Sequence, residues 1–384
     1  MTAKFVLQKE LACSPETLWH LITEPGQMNR WSTAPITAVA TGASDRIDAV
    51  GALRMVDLPH RMGRLHEVIG YNEYPAVFRY RVYDGGPLLV AHRGEQRIEA
   101  HPGGARLTWT VELQLISGLA SHAAARSIGS QVAASLEALA DIAATDPPAP
   151  TDGPPTLRPL PVDHNAFDEL IAGAQRCRDE QKATADRLAA SRDPKRWFAR
   201  VYQYVTEEMI DAATGKSPLG LDNPGWVLTL IPTFHEYFRR NLDSYERGEP
   251  TEDPWQAAWS TCEQHNPEKP FIPVMKGLMA GVSAHIDADL PRALADVKVE
   301  HYPDRDLREF RPDYLRLAPL FITASDRLLA DLPRDHTPRW LPLAKHIHPQ
   351  LRDALVTRGG YHIGRHRLRA FARAVESVHA PITG

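Results

Sequence analysis

Hydrophobic and polar positions alternate every second residue through much of the first third of the chain. In Arg106–Leu115, Leu107, Trp109, Val111, Leu113 and Leu115 alternate with Arg106, Thr108, Thr110, Glu112 and Gln114. That is the period of an antiparallel strand with one wet face. Ala76–Tyr83 reads the same way, with Phe78, Tyr80 and Val82 on one face and Arg79, Arg81 and Tyr83 on the other. Lys4–Leu11, Leu65–Tyr71 and His92–Ala100 are further strands, with turn signals at Asp84-Gly85-Gly86-Pro87 and His101-Pro102-Gly103-Gly104. Ser14-Pro15-Glu16 opens a short helix through Leu18, Trp19 and Ile22, which Pro25-Gly26 ends. A second short turn holds Met28 and Trp31. A long alanine-rich helix over 121–144, with Ile128, Val132, Leu136 and Leu139 on its stripe, closes the unit.

The period then changes. Seven prolines between Asp146 and Pro161 exclude helix and predict an extended, semi-rigid linker. Beyond it, apolar stripes at helical spacing pass through Phe167–Ala174, Trp197–Ile210, Phe234–Tyr245, Trp255–Cys262, Leu278–Leu294, Leu307–Leu332 and Leu351–Val375. The expected fold is therefore α+β followed by all-α. A domain over 1–145 has a curved antiparallel sheet around a long C-terminal helix. A linker covers 146–161, and a multi-helix domain covers 162–384.

The first part resembles the START-like superfamily of polyketide cyclases and lipid-transfer proteins over about residues 1–145. The resemblance rests on Ser14-Pro15-Glu16-Thr17-Leu18-Trp19 followed by Trp31, on Tyr80-Arg81-Val82-Tyr83-Asp84-Gly85-Gly86-Pro87, and on Gly103-Gly104-Ala105-Arg106-Leu107-Thr108-Trp109. It implies a helix-grip fold with a cavity for an apolar small molecule. Some members of that superfamily cyclise or dehydrate polyketide-like substrates, and others only bind or carry. No universal catalytic residue is implied. The pattern Gly281-x-x-Ala284-His285-Ile286-x-x-Asp289-Leu290-Pro291-x-Ala293-Leu294 resembles a family of uncharacterised bacterial helical domains, which implies no activity.

Composition narrows the function classes. A net charge of −4, with 24% charged and 43% hydrophobic residues, is ordinary for a globular protein and gives no nucleic-acid footprint. Cys13, Cys177 and Cys262 are too few and too scattered for a disulfide framework. No secretory leader and no run of about 18 apolar residues is visible. The expectation is a cytoplasmic protein without a membrane span. No cofactor and no metal is expected. Its partner is a hydrophobic small molecule, with a homodimer left open.

Candidate chemistry follows from polar residues set among apolar ones. His285 and Asp289 lie one turn apart on an apolar helical segment, spacing that suits a metal site, an acid/base pair or a structural hydrogen bond. Asp289 also has the position of a cap for a helix restarting at Pro291. His235 is a candidate to face His285 from a neighbouring helix. His235-Glu236 lacks the second histidine of a zinc-protease motif, because position 239 is Arg. In the first domain, Trp31, Tyr80, Trp109 and Arg81 are candidates to contact substrate, and His92 is a candidate acid or base. Arg81 and Tyr80 share a strand but fall on opposite faces. Cys262-x-x-His265 is too short a motif to imply zinc without a second pair. His346-Ile347-His348 and His362 with His366 are able to bind metal, but Arg365, Arg367, Arg369 and Arg373 around them read as a solvated basic face. The leading expectation is an enzyme that cyclises or dehydrates a polyketide-like intermediate by acid/base chemistry in secondary metabolism, its catalytic group drawn from His285, Asp289, His235 and His92. The alternative is a non-catalytic carrier or sensor of a hydrophobic ligand, with a helical interaction domain.

Overall fold

The computed structural model describes residues 1–59, 63–157, 160, 163–264, 271–333 and 362–379. The chain divides into two compact units, 1–158 together with 308–312, and 159–307 together with 313–384.

The first unit is a seven-stranded antiparallel sheet packed on helices. Its strands are β1 (Ala3–Leu11), β2 (Ile36–Ala40), β3 (Leu53–Asp57), β4 (Arg64–Glu73), β5 (Val77–Asp84), β6 (Leu89–His101) and β7 (Gly104–Leu115), in the spatial order β1-β7-β6-β5-β4-β3-β2. Ser14 caps α1 (Pro15–Thr23) by accepting from the Thr17 N–H, as its sequence predicts. The short α2 (Pro25–Met28) follows, and α3 (Gly118–Thr145) ends the unit. Leu107, Trp109 and Val111 of β7 join Phe78 and Tyr80 of β5 and Leu136 and Leu139 of α3 in one core. This is the helix-grip architecture. Residues 147–157 form no helix or strand and lie against this unit. Tyr74 Oη donates to Thr151 O at 2.9 Å, and Asn72 Nδ2 to Pro155 O at 3.1 Å.

The regular elements described in the second unit are all helical. They are α4 (His164–Ala190), α5 (Arg196–Ala213), α6 (Pro224–Glu246), α7 (Asp253–Cys262), α8 (Phe271–Ser283), α9 (Leu290–His301), α10 (Arg311–Arg316, of which 313–316 fall in this unit), α11 (Ala318–Asp331) and α12 (Ile363–His379). Residues 351–361 of the expected last helix lie outside the described residues. No described helix is long and apolar enough to cross a membrane.

A break at Pro291 does not occur. A π-helical turn, Ala284–Asp289, joins α8 to α9, and the Leu290 N–H reaches back to His285 O. Proline removes one N–H and crowds the carbonyl four residues earlier, and a locally widened turn lets the helix continue past it. Asp289 keeps helical angles (φ −80°, ψ −44°) and makes no side-chain cap, which corrects the capping expectation.

Candidate functional site

Each unit has a buried polar centre. In the first, polar side chains form a band across five adjacent strands on the core-facing side of the sheet. Arg54 of β3 and Glu67 of β4 are register partners and bond at 2.7 Å, both buried. The Arg54 guanidinium lies 5.1 Å from the Phe78 ring centroid and 4.8 Å from that of Tyr80. Tyr80 of β5 sits opposite Gly94 of β6, where a Cβ would come within 2.2 Å of its ring. Glycine is what lets the phenol lie across β6. Trp109 of β7 donates through Nε1 to Tyr80 Oη at 3.1 Å. His92 and Gln96 of β6 flank Gly94 on the same buried face.

This band contains unmet hydrogen-bonding capacity. Gln96 is fully buried, and neither its amide nitrogen nor its oxygen has a partner; the same holds for His92 Nδ1. Each such group costs about 1–3 kcal/mol when left unpaired. Burial pushes the His92 pKa below its ordinary value, with Glu67 opposing the shift, so His92 is held neutral.

Trp31 is buried, donates to Leu21 O at 2.9 Å and packs edge-on against Trp109. Arg81 pairs in register with the exposed Arg93, on the face of β5 opposite Tyr80. The structure thus groups Tyr80, Trp109 and His92, sets Trp31 beside them, and leaves Arg81 on the other face. Arg54, Glu67 and Gln96 escaped the sequence reading. The strand that holds Arg54 is short, and a polar residue on a strand gives no sign that its face is buried.

In the helical unit, His285 Nδ1 lies 2.9 Å from Asp289 Oδ2. The same carboxylate oxygen accepts from Trp255 Nε1 at 2.9 Å, and Arg292 reaches Oδ1 at 2.7 Å. Asp289 is fully buried and His285 is 4% exposed. The Phe234 ring stacks on the imidazole at 3.5 Å and 7°, and Tyr202 meets it edge-on at 4.6 Å. Gly281 permits this packing, because a Cβ there would fall 2.6 Å from the Phe198 ring. With Nδ1–H given to Asp289, Nε2 is an acceptor, and it has no partner. Burial lowers the His285 pKa against the pull of Asp289.

His285 lines a partly open cavity of about 90 Å³ whose other walls include Phe198, Leu230, Phe234 and Phe321. His235 does not line it. Its Nε2 lies 3.2 Å from Glu180 and its Nδ1 3.3 Å from Gln181, so both nitrogens are engaged on α4. Phe234 and Phe238, not His235, are the α6 rings packed against His285. Arg367 corrects the expectation of a solvated basic face. It is 3% exposed, lines the same cavity, and its guanidinium lies 4.2 Å from the Tyr314 ring and 4.7 Å from that of Phe321. A flat, weakly hydrated guanidinium packs on rings where an ammonium would not.

Among the described residues, no group of three or more His, Cys, Asp or Glu side chains is placed to hold a metal ion. His366 bonds Asp287 at 2.7 Å, and Cys262 is buried with its thiol pushed up to about 12. His265, His346 and His348 lie outside the described residues.

Comparison with known proteins separates the two units. A model described as polyketide cyclase / dehydrase and lipid transport matches residues 2–144. A model described as a family of unknown function (DUF5995) matches residues 175–382. An uncharacterized protein of Mycobacterium tuberculosis and one of Mycobacterium bovis are each 31% identical to this chain over 107 residues, 28% of its length. The chain spans 62% of the length of these relatives. Among solved structures, a START superfamily protein from Mycobacterium smegmatis is 13% identical, with 36% of this chain and 97% of that one covered at a TM-score of 0.31. Major latex-like protein 151 from Panax ginseng is 10% identical, with 37% and 97% covered at a TM-score of 0.32. The model that matches the first unit is thus described by both enzyme activities, cyclase and dehydrase, and by lipid transport.

Proposed function

The chain belongs to the family of unknown function DUF5995, and from that premise we propose that it is a carrier or sensor that binds a hydrophobic small molecule in its sheet-and-helix unit. The observation that carries this reading is the buried, unpartnered amide of Gln96 on the core-facing side of β6. An amide offers both a donor and an acceptor. A ligand that is mostly apolar but has one group that both donates and accepts satisfies both. The aromatic surroundings of Tyr80, Trp109 and Trp31 suit its apolar body.

A second reading is an enzyme that cyclises or dehydrates a polyketide-like intermediate. The unpartnered Nδ1 of His92 favours it, because burial keeps the imidazole in the uncharged form a general base needs, although the same burial weakens it as a base. Native mass spectrometry of the full chain, followed by solvent extraction, separates the readings. A carrier releases the molecule it took up, unchanged after prolonged incubation, whereas an enzyme releases an isomerised or dehydrated product. Absence of any bound lipophile, together with no affinity for extracts of lipophilic compounds, would sink both.

A further inference from the structure

Arg367 is buried in the helical unit without a carboxylate partner among the described residues. Its terminal nitrogen donates to Tyr314 O at 2.6 Å, and its Nε is buried and unpaired. The acidic groups nearby are committed elsewhere. Asp289 takes His285, Trp255 and Arg292. Asp287 takes Ser283 and His366, and Asp313 takes Arg316 and the backbone N–H groups of Asp222 and Asn223. A cation taken out of water without a counter-ion is costly, and an anion delivered to it removes that cost. Burial accordingly drives the Arg367 pKa downward.

The cavity that Arg367 lines supplies the rest of a site. Its walls are almost wholly apolar, and at about 90 Å³ it is smaller than the roughly 150 Å³ engineered cavity known to hold benzene. It suits a short aliphatic tail better than a fused ring system. Tyr202, on the same wall as His285, has a buried hydroxyl with no partner. The His285 ring lines the same cavity.

We infer that this cavity binds a small apolar monocarboxylate, with Arg367 as its counter-ion and the Tyr202 hydroxyl as a neutral donor. The guanidinium fork matches a carboxylate in shape as well as charge. The site uses none of the residues assigned to the first unit.

Calorimetric titration of the full chain with sodium propionate and with 1-propanol tests this. Propionate is expected to bind at least about tenfold more tightly than propanol, the margin typical of a charge-assisted hydrogen bond. In Arg367→Met that preference disappears, while the unliganded protein melts at the same temperature or higher because a buried charge is gone. Val205→Phe, which fills the cavity while leaving Arg367 in place, abolishes propionate binding and keeps the inference testable if Arg367→Met fails to fold. Equal affinity for the two probes, no binding of propionate, an unchanged preference in Arg367→Met, or intact propionate binding in Val205→Phe would overturn it.

Discussion

His285 and Asp289 are bonded across a π-helical turn, Nδ1 to Oδ2 at 2.9 Å, with the carboxylate fully buried. That one carboxylate also holds Trp255 of α7 and Arg292 of α9. It is therefore a junction between α7, α9 and the π turn.

Removing this junction leaves an indole N–H and an imidazole N–H buried without an acceptor. Asp289→Ala is expected to destabilise the protein by about 3 kcal/mol or more, the usual cost of breaking a buried charged network from one side. Asp289→Asn, which keeps an acceptor oxygen, costs less. Urea unfolding followed by tryptophan fluorescence measures both. Equal, small losses in the two variants would show that the carboxylate is not a junction.

Acid should weaken the fold. His92, His235 and His285 all have pKa values lowered mainly by burial, opposed respectively by Glu67, by Glu180 and by Asp289. A folded-state pKa below the unfolded value means that the unfolded chain binds the proton more readily. The stabilisation is present above the unfolded value of about 6.5 and is lost as pH falls below it. Melting temperatures are expected to hold from pH 8 to 7 and to decline below about 6.5, less steeply in His285→Gln. A flat profile down to pH 5 would contradict the assignment of neutral, buried imidazoles.

Gly94→Ala tests the polar band from its backbone side. The new methyl group would meet the Tyr80 ring, which must move and give up its bond from Trp109. Overpacking of this kind costs about 1–3 kcal/mol. The expected outcome is a lower melting temperature together with weaker binding of the co-purified lipophile. Lower stability with unchanged binding would place the ligand away from Tyr80.

Periodicity made the architecture legible. The alternation of Leu107, Trp109, Val111 and Leu113, the cap at Ser14 and the helical stripes from Phe167 to Leu294 each specify an element the structure contains. The strands Ile36–Ala40 and Leu53–Asp57 were invisible, because five residues hold too few alternations to outweigh their mixed composition. His285 stood out because an apolar helix isolates it. Gln96 and Arg54 did not, because their burial comes from strands and a helix distant in sequence. Arg367 was misread for the same reason. Its neighbours Arg365, Arg369 and Arg373 suggested water, whereas the rings of Tyr314 and Phe321 set its surroundings.

Gln96→Leu tests the central claim most directly, because ligand reading and structural support predict opposite signs. The affinity of the purified variant for the co-purified lipophile, measured by calorimetry beside its unliganded melting temperature, decides between them. If Gln96 is kept for a ligand, replacing its unpaired amide with a hydrocarbon raises unliganded stability and weakens binding at least about tenfold. Unchanged affinity, or a variant that loses stability while still binding fully, would contradict the account.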